Sequence, residues 1–108
     1  MIKYVYEVDY PLGQKRNYLE WVRSIADTLQ APEELRRLAS YDNVFSATPN
    51  RVIEFTFDSL EDAGRYFERK EISRILQGEL TAHGTNVGIK VLTRLADYSK
   101  DTVTGDAP

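Results

Sequence analysis

The sequence has no cysteine, one histidine (His83) and one tryptophan (Trp21). Each shortage excludes a class of chemistry. Without cysteine there can be no disulfide framework, no thiolate metal site and no cysteine nucleophile. With one histidine, a transition-metal site would have to be rich in carboxylates, and no acidic spacing here suggests one. No apolar run approaches the roughly 18 residues of a membrane span. The N-terminus, Met1-Ile2-Lys3-Tyr4-Val5-Tyr6-Glu7, lacks the apolar stretch of a signal peptide, so the expected location is the cytoplasm. Excess positive charge is also missing: 14 Lys+Arg stand against 17 Asp+Glu, a net charge of −3, which disfavours a phosphate-backbone partner. Gly84 and Gly88 do not form a phosphate-cradling loop, and no serine sits in a nucleophile-elbow context.

What is present is an ordinary globular composition, 42% hydrophobic and 29% charged over 108 residues. One domain is expected over residues 1–98, with 99–108 a small, polar, acidic tail expected to be disordered. A chain this short has a modest core, so any large apolar surface left over points to an interface.

The period of the apolar residues gives the elements. Residues 2–10 alternate, with Ile2, Tyr4, Tyr6, Val8 and Tyr10 on one face, which predicts a strand. Pro11-Leu12-Gly13 ends it. Tyr18, Trp21, Val22, Ile25 and Leu29 form one stripe of a helix over 15–30. Pro32 to Leu38 reads as a short second helix, with proline first, acids in the first turn and bases in the last. A weak strand over 43–48, a turn at Thr48-Pro49-Asn50-Arg51 and a strong strand over 52–57 make a hairpin. Asp58 with Glu61, or Ser59 with Asp62, can cap a following helix. Leu60, Ala63 and Phe67 are out of phase with Ile72, Ile75, Leu76 and Leu80, so a break is expected near Lys70-Glu71, with a stop at His83-Gly84. The last strand runs from Asn86 to about Ala96.

Strand, helix, strand, strand, helix, strand folds by the connection rules into a ferredoxin-like α+β plait. A four-stranded antiparallel sheet carries both helices on one face, and the first and third strands are central. The aromatic set Tyr4, Tyr6, Phe55 and Phe57 should meet the helices, because the other set carries Glu7, Asp9, Glu54, Lys90 and Arg94, which are costly to bury unpaired. On that second, open face Val5, Val44, Val52 and Leu92 interrupt the charge. A homodimer with sheets face to face would cover them, with Val5, Val52 and Leu92 at the interface. Glu7, Glu54, Thr56, Lys90 and Arg94 would then line a cavity between the sheets. This set is the candidate ligand-binding site, for a polar ligand or a carboxylate that takes a proton. The competing reading is a salt-bridge network across the dimer seam.

His83 is a candidate acid/base group or haem ligand, but a helix-end position beside Gly84 also suits a structural histidine. Trp21 lies on the apolar stripe and reads as core, with positioning of a planar substrate as its alternative. RNA-recognition modules share this topology and display aromatics on the same two strands. Here that display would force Glu7 and Glu54 under the helices. No nucleic-acid partner, membrane partner or cofactor is therefore expected.

The βαββαβ order, Tyr18-Leu19-Glu20-Trp21-Val22 and the junction Val52-Ile53-Glu54-Phe55-Thr56-Phe57-Asp58-Ser59-Leu60-Glu61-Asp62-Ala63 resemble the dimeric α+β barrel superfamily. That group includes the antibiotic-biosynthesis monooxygenase, Dabb and NIPSNAP-like proteins. The resemblance covers about residues 1–96 and implies a dimeric α+β barrel. It transfers no catalytic residue, since the superfamily hosts many chemistries. The expected function is a small homodimer that binds an organic molecule. The alternative is a cofactor-free monooxygenase-like enzyme acting on an electron-rich substrate.

Overall fold

A computed structural model describes residues 1–45, 48–96 and 98. The tail expectation for 99–108 lies outside the described residues. The order is β1 (Ile2–Asp9), α1 (Lys15–Gln30), β2 (Arg37–Asp42), β3 (Arg51–Phe57) and α2 (Leu60–Glu68). A broken helical region follows: α3 (Lys70–Ser73), a π-helical stretch (Arg74–Glu79) and α4 (Leu80–His83), before β4 (Thr85–Thr93). The sheet is antiparallel in the order β2-β3-β1-β4, so β1 and β3 are central as expected. Ser59 caps α2 by accepting a hydrogen bond from the Asp62 amide at 3.1 Å, the second of the two expected boxes. The break falls at Arg69, whose ψ of 133° is extended.

Two expectations between α1 and β3 fail. Pro32 to Leu38 is not a helix; it turns at 32–35, with the Leu35 N–H on the Pro32 carbonyl at 3.2 Å, and is already β2 from Arg37. The described residues of the expected weak strand over 43–48, which are 43–45 and 48, are not strand either. The described part of that segment is turn: Asn43 Oδ1 accepts from the Phe45 amide at 3.1 Å, and the Asn43 N–H reaches the Asn50 carbonyl at 2.9 Å. Both errors have one cause. Local charge pattern favours a helix over 32–38, but the outer edge of β3 needs backbone partners, and β2 supplies them from Arg37↔Thr56 to Asp42↔Arg51. The asparagine side chain then competes for the next amides and ends the strand. Val44 consequently lies in this exposed turn and not on the open sheet face.

The aromatic face does pack on the helices. Tyr6, Val8, Ile53, Phe55 and Phe57 join Tyr18, Trp21, Ile25, Leu29, Ala63, Tyr66, Ile72, Ile75 and Leu80 in one core. Phe55, Phe57 and Tyr66 are wholly buried, each such side chain contributing about 1.5–3 kcal/mol. Their rings meet edge-on or tilted, as quadrupoles prefer, for example Tyr6–Phe55 at 5.3 Å and Phe57–Phe67 at 5.5 Å. Coverage stops short of β4: Ile89 and Val91 share this face yet stay 56% and 51% exposed. Gly84 lets β4 begin close to β1, since a Cβ there would stand 2.4 Å from Val8 Cγ1.

Candidate functional site

On the open face the register places Lys3, Val5 and Glu7 of β1 between Thr56, Glu54 and Val52 of β3 and Leu92, Lys90 and Gly88 of β4. Four of the five candidate cavity residues, Glu7, Glu54, Thr56 and Lys90, therefore share one face. Their charges are paired diagonally inside the protomer. Lys3 Nζ donates to Glu54 Oε1 at 3.2 Å, and Lys90 Nζ lies 3.2 Å from Glu7 Oε1. The methylene stems of these pairs flank Val5, which is only 7% exposed. Thr56 is buried beside them. Arg94 lies just past the end of β4, about 20 Å from the Glu7 end of this face and beside its Lys3 end. It borders a hollow of about 310 Å3 with Met1, Lys3 and Leu92. Leu92 is 49% exposed and Val52 half-buried, and Tyr41, opposite Val52 on β2, is exposed on the same face. Tyr41 is missed by the sequence reading because β2 is displaced there by six residues.

On the other side of the sheet, a groove of about 270 Å3 runs where the helices leave β1 and β4 uncovered. Tyr4, Tyr6, Phe67, Leu76 and Ile89 wall it. The π-helical stretch brings Leu76 and Gln77 to its rim; such segments often mark functional sites. Burial first, and then the neighbouring Tyr4 hydroxyl, push the Tyr6 phenol up to about 12, so it remains a proton donor at neutral pH. Alternation marks the tyrosines as inward, but the groove depends on how far the helices extend over β4, which periodicity does not encode.

Trp21 is core, 7% exposed, and its indole N–H donates to Glu79 Oε1 at 3.0 Å. His83 ends α4, as its helix-stop position predicts, and stacks on Trp21 with centroids 4.8 Å apart and planes at 14°. It does not reach the charged open-face set. Among the described residues no group of three or more His, Asp or Glu side chains could hold a metal ion. Among the described residues no helix is long and apolar enough to cross a membrane.

No family model and no curated protein matches this sequence. Solved structures do. A candidate antibiotic biosynthesis monooxygenase from Deinococcus radiodurans aligns with a TM-score of 0.75 at 10% identity, over 92% of this chain and 97% of that one. A Mycobacterium tuberculosis protein gives 0.74 at 11% identity, over 91% and 98%. A Dabb family protein with a ferredoxin-like fold from Mesorhizobium loti gives 0.68 at 9% identity, over 88% and 97%. The chain shares the fold of the antibiotic-biosynthesis monooxygenase and Dabb groups, as the resemblance implied. At these identities the likeness concerns the fold.

Proposed function

We propose that the protein acts as a homodimer joined through the open faces of its two sheets, and that each protomer binds a small, largely apolar organic molecule in the groove of Tyr4, Tyr6, Phe67, Leu76 and Ile89. One observation carries the reading: β4 exposes apolar side chains on both of its faces, Ile89 and Val91 on the helix side and Leu92 on the other. On the open side, Leu92 with Val52 and Tyr41 gives an apolar surface beside two ion pairs, Lys3–Glu54 and Lys90–Glu7, that are already satisfied within the protomer. A second copy covers these pairs without stranding either of their ions. Glu7, Glu54, Thr56 and Lys90 then serve the seam between sheets, each ion pair held within its own protomer. On the helix side, the exposed part of β4 extends the aromatic groove, whose volume lies near the lower end of small-molecule sites.

The groove is tested with 1-naphthol as probe, mapping amide shifts in the labelled protein. Saturable shifts confined to Tyr4, Phe67, Leu76 and their neighbours, abolished by a groove-filling Leu76→Trp change, are expected. No saturation, or equal binding by Leu76→Trp, contradicts the assignment.

A further inference from the structure

A concavity of about 590 Å3 lies away from both the groove and the open sheet face. The turn after β1, one side of α1 and the end of α4 form it, with Gln14, Asn17, Glu20, Ser24, Trp21 and His83 on its walls. Its floor is the stack of the only tryptophan on the only histidine, 4.8 Å apart and nearly parallel. The stack is held from behind. Glu79 accepts from the indole N–H at 3.0 Å and is itself paired with Arg74 at 3.5 Å. Trp21 shows little surface, so the His83 ring is the flat face bordering the cleft.

The walls have one sign of charge. No lysine or arginine lines the cleft, and the exposed Glu20 makes no ion pair or hydrogen bond among the described residues. The polar side chains are partly tied to their own helix: Ser24 spends its one donor on the Trp21 carbonyl at 2.6 Å, and Asn17 donates to Gln14 Oε1. The flat His83 face and the unpaired Glu20 carboxylate, with no lysine or arginine on the walls, together select a flat donor of positive charge. An anion would meet the Glu20 charge with no lysine or arginine on the walls to offset it, and an apolar molecule would strip water from the polar walls without replacing its hydrogen bonds.

We propose that this cleft binds a small planar organic cation, of the amidinium, guanidinium or aromatic ammonium class, stacked on the His83–Trp21 pair with its N–H groups on Glu20. The site is independent of the groove and of the dimer seam. The test titrates the labelled full chain with benzamidinium chloride, using benzamide and benzoate as neutral and anionic isosteres. Trp21 supplies the one indole N–H resonance to follow. Benzamidinium should shift that resonance saturably and bind at least about tenfold more tightly than benzamide, with no response to benzoate. Glu20→Gln, at an exposed position off the core, should weaken benzamidinium at least about fivefold while the rest of the spectrum stays native. The proposal is overturned if the indole resonance does not move, if benzamide binds as well as benzamidinium, if Glu20→Gln binds like the parent, or if the shifts centre on Phe67 and Leu76 instead.

Discussion

The carboxylate of Asp9 accepts a hydrogen bond from the backbone N–H of Asn50 at 2.9 Å, tying the end of β1 to the start of β3. Its other oxygen accepts from the Asn86 side-chain amide at 3.0 Å, reaching β4 as well. Asn86 sits at φ 51°, a left-handed conformation that asparagine tolerates, and the β1–β4 register shifts here between Glu7 and Asp9. Asp9 is 5% exposed, so these donors replace the water it loses. Replacing Asp9 with Ala should cost about 1–3 kcal/mol, because two donors lose their acceptor. Asp9→Asn, which keeps one acceptor oxygen, should cost less. Urea denaturation of the two variants measures the difference.

Gly84 and Val8 are coupled by contact. A Cβ at Gly84 would overlap Val8 Cγ1, and Val8 has no exposed surface into which to move. Gly84→Ala should therefore destabilise by about 1–3 kcal/mol. In a Val8→Ala background the same change should cost distinctly less, a coupling that a double-mutant cycle reads directly.

Alkaline titration should separate the tyrosines. Burial pushes the phenols of Tyr6 and Tyr18 up to about 12 and raises that of Tyr66 as well. An unfolded tyrosine ionises near about 10. A raised folded pKa means the stabilisation is complete below that value and is lost as pH rises through the folded value. The tyrosinate absorbance of these three residues should thus be absent near pH 10 and appear together with unfolding between about pH 10 and 12. Their ionisation near pH 10 with the fold intact contradicts their burial.

The two sheet faces make opposite predictions. Leu92 is half-exposed on the proposed seam, whereas Phe55 is fully buried under the helices. Leu92→Glu should dissociate the dimer with little effect on protomer stability. Phe55→Ala should cost about 3–5 kcal/mol of folding free energy. Sedimentation velocity and thermal melts on both variants distinguish the outcomes; equal effects on association would mean the faces are reversed.

Much of this was legible in the sequence, for physical reasons. Strong periodicity located β1, α1 and β3, and the charge of Glu7, Glu54 and Lys90 told which sheet face was open. The break after α2 followed from two apolar stripes out of phase. β2 was not legible because Arg37 to Asp42 is an edge strand, and its place is set by what β3 needs across the ladder. The place of Tyr41 on the open face is hidden for the same reason. The pairing of Lys3 with Glu54 needed the register, since Lys3 faces Thr56 directly and meets Glu54 only on the diagonal. The Trp21–His83 stack joins residues 62 positions apart, a contact no local pattern reveals.

Closure of two copies over the open sheet face, as proposed, doubles the mass of the particle in solution. Light scattering on the purified chain at tens of micromolar measures it most directly. The expected mass is twice that of the 12.4 kDa protomer, falling to that of one protomer in Leu92→Glu. A parent protein that scatters as a single 12.4 kDa chain under those conditions contradicts it.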